Sequence, residues 1–320
     1  MEDRTSCFLK SKTLTCFAKK IVENGLKQAY LFSSDDSSKN YAFCKILSMF
    51  SMCKNKNMCL NCDVCKKILN DNSVDLLVYP KSNAIVVDDI KEIVENAYVL
   101  PLENEFKIFI LNDFDLANIA SQNKFLKTLE EPPKNVIFLL NTTKSDMILN
   151  TIKSRCEKII LPKFSTDEFI ELLKQNNVEI KCSVVENSDN EFGNYISLLN
   201  SDFEQMLNFC IDMLENMKSS SEILNYSSKI LKFKDLEYFF KAMLSVLIDI
   251  NVAKIDAKNI TNKSKEIEIC RLCEMFSKKS VDEILKNLIN ANKELSFNTN
   301  VNLVVDCILI DILEEKHKWN

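Results

Sequence analysis

The sequence predicts an α/β domain built on a parallel sheet, followed by a helical C-terminal part. Continuous apolar runs of strand length occur at 107–111 and 136–140, and such runs are typical of strands buried on both faces. A stretch of helix formers at 117–130 separates them. Because strands that alternate with helices join through right-handed crossovers, this order favours a parallel sheet. Residues 217–320 contain neither proline nor glycine and repeat apolar residues every three or four positions, which predicts helices there.

The other elements of the α/β domain follow from the same patterns. Further strands are predicted at three more apolar stretches, which are 29–32, 74–79 and 158–161. The segment 85–94 changes from a strand-like to a helical pattern. Pro132 and Pro133 end the helix 117–130, because proline lacks a backbone donor and restricts the residue before it.

A domain boundary is predicted near Pro162. Beyond it, Ser165 or Thr166 can cap a helix over 167–176, and two or three short helices extend to residue 216. The sequence therefore predicts an α/β domain, a small helical domain and an all-α C-terminal domain, with the bounds 1–163, 164–216 and 217–320.

Composition and charge describe an ordinary soluble protein, with 46% hydrophobic and 27% charged residues in a chain of 320. The net charge of −5 argues against a free-standing nucleic-acid-binding protein, which usually carries a basic surface. No apolar run approaches the roughly 18 residues of a membrane span, and the first residues do not have the pattern of a signal peptide. A cytoplasmic protein without membrane contact is expected.

Four of the thirteen cysteines are grouped in a short segment at about 50–68. Their spacing is C-x5-C-x2-C-x2-C, and they are Cys53, Cys59, Cys62 and Cys65. Short gaps let consecutive thiolates reach one ion, and four thiolates complete a tetrahedral structural zinc site. An iron–sulfur cluster and a metal-free group of thiols are the alternatives. The iron–sulfur cluster is disfavoured because Cys65 is not followed by the further cysteine and proline of a ferredoxin-type run.

Three motifs in the α/β domain occur in a characteristic order. They are Asn-Lys-Phe-Leu-Lys-Thr-Leu-Glu-Glu-Pro-Pro at 123–133, Asn-Thr-Thr at 141–143 and Ser-Arg-Cys at 154–156. In order and spacing they resemble the bacterial clamp-loader subunits of the AAA+ class. The resemblance implies an AAA+ α/β core with an inserted four-cysteine zinc module, a helical lid domain and a helical collar domain that holds an oligomer together. Cys53 departs most from the family pattern, because the gap after it is shorter than in the family.

The loop after the first strand departs from the nucleotide-binding members of this family. Their loop reads G-x-x-x-x-G-K-[ST]: glycines let backbone N–H groups surround the phosphates, lysine neutralises charge and the hydroxyl binds magnesium. This chain instead has Ser33, Ser34, Asp35, Asp36, Ser37, Ser38, Lys39 and Asn40. Without glycine the loop does not readily adopt positive-φ turns, and its two aspartates would repel phosphate. Lys39 is expected to be a solvated surface lysine.

The second nucleotide-binding element is altered as well. At the end of strand 107–111 an ATPase needs an aspartate that organises magnesium and then an acidic residue that positions the attacking water. Asn112 stands at the first position and Asp113 at the second. Together, the two altered elements predict a subunit that neither binds nor hydrolyses ATP. Structural zinc is therefore the expected cofactor, and no nucleotide is expected.

Arg155 is the residue for which the resemblance implies a part in catalysis. In the family, the arginine of Ser-Arg-Cys reaches across a subunit boundary into the neighbour's ATP site, where a guanidinium can stabilise charge on a transferring phosphoryl group. An ion pair with a local carboxylate such as Glu157 is the alternative. Ser154 is expected to cap or orient, and Cys156 to pack in the core. Thr142 resembles the family's sensor position, where core hydrogen bonding is expected in a subunit without nucleotide.

The resemblance implies a non-catalytic subunit of a five-membered DNA polymerase III clamp loader. Its partners would be the motor subunits and the delta subunit, with the sliding clamp and primer–template DNA as indirect partners. Two alternatives stay open. One is an ATP-hydrolysing motor subunit of the same assembly, and the other is a metal-containing DNA-binding module, which the net negative charge disfavours.

Overall fold

In the computed structural model of the protein, the described residues are 5–55, 57–81, 84–295 and 300–318. The chain divides into two compact units, Met1–Val178 and Glu179–Asn320. The strands of the described residues all lie in the first unit, and helices make up the second. The finer division into three domains, with boundaries at 163/164 and 216/217, stays a prediction.

The first unit is built around a parallel sheet. Its strands are β1 (Ala29–Ser33), β2 (Leu76–Tyr79), β3 (Lys107–Leu111), β4 (Val136–Thr142) and β5 (Glu157–Ile160). They lie in the order β2-β3-β4-β1-β5, and every pair of neighbours is parallel. Each of the predicted strands is confirmed, with ends that differ by at most two residues.

Helices alternate with these strands, as predicted. They are α1 (Thr5–Phe8), α2 (Lys12–Glu23), α3 (Ser37–Met52), α4 (Asp63–Leu69), α5 (Val87–Ala97), α6 (Ile119–Glu130), α7 (Asn150–Lys153) and α8 (Thr166–Gln175), with 3₁₀ turns at Phe114–Leu116 and Ser145–Met147. Helix α6 begins after Asn118, whose side chain accepts a hydrogen bond from the N–H of Ser121 at 2.8 Å. It ends two residues before Pro132, as predicted. Ser165 caps α8 in the same way, which confirms that prediction.

Strands β3 and β4 lie at the centre of the hydrophobic core, and every residue of both is buried. The ring of Phe138 in β4 packs against Phe109 of β3 and Phe125 of α6, with centroid distances of 5.4 and 5.1 Å. In β1, Phe32 packs against Phe43 of α3 at 5.0 Å. This burial is why the strands have continuous apolar sequences rather than alternating ones.

The second unit consists of helices joined by short loops. They are α9 (Cys182–Asn187), α10 (Phe192–Asn200), α11 (Phe203–Asn216), α12 (Ile223–Ile230), α13 (Leu236–Asp256), α14 (Glu266–Met275), α15 (Lys278–Leu295) and α16 (Val301–His317), with 3₁₀ turns at Ser220–Glu222, Ala257–Asn259 and Lys263–Lys265. The buried Lys316 of α16 stabilises the end of α11 by donating to the carbonyls of Leu214, Glu215 and Met217 at 2.6–3.0 Å. None of the helices in the described ranges combines the length and apolar character that a bilayer-spanning segment needs.

Candidate functional site

The loops after β1, β3 and β4 bring the candidate polar residues together in the first unit. Parallel neighbours end on the same side of a sheet, so the carboxyl ends of these three strands meet at one edge. This edge is where open α/β sheets bind their ligands. The altered phosphate loop, the altered acidic pair and Thr142 all lie there.

The phosphate loop is closed by hydrogen bonds within the protein. Asp36 caps α3 and accepts from the N–H of Lys39 at 3.1 Å. Ser34 donates to the side-chain oxygen of Asn40 at 2.8 Å, and the amide of Asn40 donates to the carbonyl of Thr142 at 3.0 Å. Asn40, at the position of the magnesium-binding hydroxyl in a nucleotide-binding loop, is therefore used to join α3 to β4.

Lys39 is buried, so its prediction as a solvated surface lysine is wrong. Its side chain is 0% exposed, and Nζ lies 4.7 Å from the centroid of the Phe164 ring. The face of an aromatic ring attracts an ammonium group, which offsets part of the cost of this burial. The Phe164 ring in turn stacks on Phe8 with centroids 5.9 Å apart. The lysine that would bind phosphate in an ATPase is thus buried, with its ammonium group against the ring of Phe164.

The altered acidic pair is also engaged internally. Asn112 accepts a hydrogen bond from the amide of Asn141, whose oxygen accepts from the N–H of Asp113 at 3.0 Å. The carboxylate of Asp113 accepts from the hydroxyl of Ser37 at 2.6 Å. Asp113 adopts a left-handed conformation, with φ of 46°. Ser37 and Asp113 therefore bind each other across the place where an ATPase holds magnesium and water.

Thr142 is fully buried, and its hydroxyl forms hydrogen bonds within the core. Its hydroxyl donates to Asp115 at 2.7 Å and accepts from the N–H of Lys144 at 2.9 Å. Sequence reasoning did not single out Asp115 or Asn141 as members of this network. Asp115 lies four residues after the end of β3, and Asn141 is the first residue of the Asn-Thr-Thr motif. These positions were the signal that could have identified them.

The four predicted cysteines come together where α3 is joined to α4: Cys53 ends α3, Cys59 lies between the helices, Cys62 caps α4 and Cys65 lies in the first turn of α4. Their Sγ atoms all lie within 4.8 Å of one another, and Cys53 lies 3.6 Å from Cys59 and 3.9 Å from Cys62. Four sulfurs around a tetrahedral zinc with Zn–S bonds of about 2.3 Å are roughly 3.8 Å apart, so the residues fit the ion. Cys53 belongs to the group despite its shorter gap. Cys44 does not, since it is buried beside Asn141.

The backbone of this segment also favours charged sulfur. The N–H of Cys62 donates to Sγ of Cys59 at 3.4 Å, and the N–H of Cys65 donates to Sγ of Cys62 at 3.5 Å. Burial raises the pKa of Cys53, but backbone donors outweigh it and bring that pKa to about 6. Backbone donors also lower the pKa of Cys59, whereas burial raises the pKa of Cys65. A metal requires deprotonated thiols, and this segment supplies part of that deprotonation.

Two residues of this segment have a strained backbone conformation. Met58 and Leu60 have φ of 49° and 60°, in the left-handed region that favours glycine. Such conformations persist where the surrounding structure fixes them. A metal bound by Cys59 between them would do so.

Arg155 lies in the turn between α7 and β5 and is partly exposed. Its Nη1 donates to the carbonyl of Thr151 at 2.7 Å, and its Nη2 forms an ion pair with Glu130. The alternative partner expected from the sequence was Glu157. The structure has Glu130 instead, the last residue of α6, because the chain brings the end of that helix beside α7.

The neighbours of Arg155 behave as predicted. Ser154 is the C-terminal cap of α7, and its hydroxyl donates to the carbonyl of Thr151 at 3.0 Å. Cys156 is buried, and burial raises the pKa of its thiol to about 12, which makes it an inert core residue.

The fold and the site define an α/β protein built on a five-stranded parallel sheet, with polar residues gathered at the carboxyl ends of β1, β3 and β4. Residues 9–165 match a protein family described as "DNA polymerase III, delta subunit". The chain is 26% identical over 297 residues to DNA polymerase III subunit gamma of Buchnera aphidicola (subsp. Schizaphis graminum), covering 80% of this chain and 79% of that protein. It is 28% identical over 236 residues to subunit gamma/tau of Mycoplasma genitalium, covering 70% of this chain and 38% of that protein. The chain is thus similar to DNA polymerase III subunits that carry the names delta, gamma and gamma/tau, and the matches do not separate one type of subunit from another.

Solved structures align along most of the chain at low similarity. A DNA polymerase III gamma-subunit-related protein from Thermotoga maritima has a TM-score of 0.40 and 20% identity, covering 95% of this chain and 100% of that one. The Bacillus subtilis DNA clamp loader delta protein has a TM-score of 0.34 and 11% identity, covering 94% and 99%. Likeness at this level adds nothing to the assignment.

Proposed function

We propose that this chain is the delta-prime subunit of a bacterial DNA polymerase III clamp loader. It binds no ATP itself, supports loading of the sliding clamp onto primed DNA, and donates Arg155 to the ATP site of a neighbouring motor subunit. It has no activity of its own and contributes to ATP hydrolysis in trans.

The observation that carries this proposal is a contrast within the first unit. The elements that would bind nucleotide are engaged with their own protein: Lys39 is buried beside Phe164, and Asp113 is bound by Ser37. Arg155 also has internal partners, Glu130 and the carbonyl of Thr151, but it keeps 31% of its side chain exposed. A guanidinium is always charged and presents a fixed fork of donors, so an exposed one can serve a phosphoryl group on another subunit.

The proposal includes one cofactor and a set of partners. Zinc, held by the four-cysteine cluster, fixes the segment between α3 and α4 and takes no part in the reaction. The partners are motor subunits and a delta subunit in a five-membered ring. The sliding clamp and primer–template DNA are reached through the assembly, which acts in the cytoplasm. The segments 164–216 and 217–320 serve as lid and collar.

Co-assembly tests this proposal directly. The chain, produced with the motor and delta subunits of the same genome, should co-purify with them as one complex of defined size. Because the chain carries a net charge of −5, the isolated chain should show no salt-dependent binding to primed DNA. Light scattering coupled to gel filtration measures the first, and fluorescence anisotropy the second. A chain that stays monomeric beside a motor subunit, or binds DNA tightly alone, contradicts the proposal.

A motor subunit of the same loader is the second candidate, because the relatives found carry the names gamma and gamma/tau. ATP titration of the isolated chain separates the two. A delta-prime subunit should show no saturable binding up to millimolar ATP with magnesium, since no phosphate-binding loop is available. Isothermal calorimetry provides the measurement, with a motor subunit as the positive control. ATP binding at micromolar concentrations would instead support the function of a motor subunit.

A further inference from the structure

The carboxylate of Glu130 contacts the one arginine that the proposed function sends to another subunit. We infer that Glu130 is a positioning residue for Arg155, an inference that rests on the arginine finger proposed above. Glu130 closes α6 and belongs to the Leu-Glu-Glu-Pro-Pro motif, whereas Arg155 lies after α7. The ion pair therefore joins two elements that are separate in sequence.

The geometry restrains the guanidinium from two sides. Nη2 contacts Oε1 of Glu130, and Nη1 donates to the carbonyl of Thr151 at 2.7 Å. A guanidinium has five N–H donors in one plane, so two contacts on different nitrogens fix the plane and leave donors for an anion. An arginine so held loses less rotational freedom when it meets a phosphoryl group, which is the advantage of a pre-organised site.

Because the Arg155–Glu130 ion pair is partly exposed, a positioning role can be distinguished from a role in stability. The side chains of Arg155 and Glu130 are 31% and 49% exposed. Ion pairs at such exposure contribute little to the free energy of unfolding. Loss of the Glu130 carboxylate should therefore leave the fold unchanged and act on the orientation of Arg155. A restraining latch is the opposite possibility, in which Glu130 withholds the arginine and its removal raises the rate.

The test is a double-mutant cycle in the assembled loader, with DNA-stimulated ATPase as the readout. Glu130→Ala should lower hydrolysis about tenfold at the one ATP site that Arg155 serves, because misplacing a transition-state contact affects the chemical step. In the summed rate this is a smaller fall, no larger than that of Arg155→Ala, with little change in KM for ATP. Glu130→Gln keeps an acceptor for Nη2 and should retain most of the rate. Glu131→Ala removes the adjacent exposed carboxylate and serves as the matched control. In the Arg155→Ala background, Glu130→Ala should have no further effect.

Each result has one meaning. A Glu130→Ala rate that is unchanged or raised overturns the inference, and so does an equal fall in the Arg155→Ala background. A melting temperature lowered by several degrees in Glu130→Ala also overturns it, because the residue would then be structural. If Arg155→Ala leaves the rate intact, the proposed arginine finger itself fails. If Arg155→Ala lowers the rate and Glu130→Ala does not, the positioning role alone fails.

Discussion

Arg155→Ala should lower the DNA-stimulated ATPase rate of a reconstituted clamp loader without loss of the fold. An arginine that stabilises charge on a transferring phosphoryl group is typically worth on the order of 10³–10⁵ in rate. That factor applies to the one ATP site that Arg155 serves. The rate summed over the assembly should fall less, because the other sites continue to hydrolyse ATP. Steady-state hydrolysis with primed DNA and clamp measures the loss.

Two further variants make this result specific. Arg155→Lys keeps the charge and loses the fork of donors, so an intermediate rate is expected. Lys158→Ala removes an exposed positive charge three residues away on β5 and should leave the rate unchanged. All three variants should co-purify with the motor subunits. A loader that hydrolyses ATP at the wild-type rate with Arg155→Ala would remove the basis of the proposed function.

The parts of the fold that could be predicted are those set by local pattern. Strands β3 and β4 are buried along their whole length, and their apolar runs at 108–111 and 136–140 are typical of strands in a parallel sheet. The end of α6 could likewise be predicted from nearby sequence, because Pro132 lies two residues beyond the last residue of the helix. The four cysteines could be grouped in advance since their spacing alone brings the thiols together.

The parts that could not be predicted depend on contacts between distant residues. Lysine is a residue type usually found at the surface, and nothing near Lys39 in sequence shows that Phe164 packs against it. Asp75 is similar: this buried carboxylate accepts from the N–H groups of Leu102, Glu103 and Asn104, which lie beyond the next helix. The Glu130 partner of Arg155 is a third case. Sequence reasoning considered Glu157 because it was near in the chain, whereas the fold brings together the ends of α6 and α7.

Removal of zinc should unfold the segment between α3 and α4. Anaerobically purified protein is expected to hold about one zinc ion per chain, bound by Cys53, Cys59, Cys62 and Cys65. Cys59→Ser removes a half-buried ligand and should abolish tight binding, whereas Cys182→Ser changes an exposed cysteine outside the cluster and should not. Metal analysis by mass spectrometry measures the stoichiometry. Iron in place of zinc would favour the iron–sulfur alternative, and a metal-free wild-type protein would refute both.

Loss of zinc should lower the local stability strongly around the four cysteines and leave the rest of the first unit folded. Zinc binding to four thiolates stabilises small metal-dependent folds by about 10–16 kcal/mol at neutral pH, and that free energy is lost when a ligand or the ion is removed. Zinc bound here would offset the left-handed conformations of Met58 and Leu60, which cost about 1–3 kcal/mol each. Chelation or Cys59→Ser should therefore abolish hydrogen-exchange protection of α4, while β3 and β4 stay protected by their buried core. Because protons compete with zinc for thiolates, acidification should also release the metal, and α4 should then lose protection while β3 and β4 keep theirs. Full protection of α4 in the metal-free protein would show that the hydrophobic contacts of Val64 and Ile68 suffice to hold it.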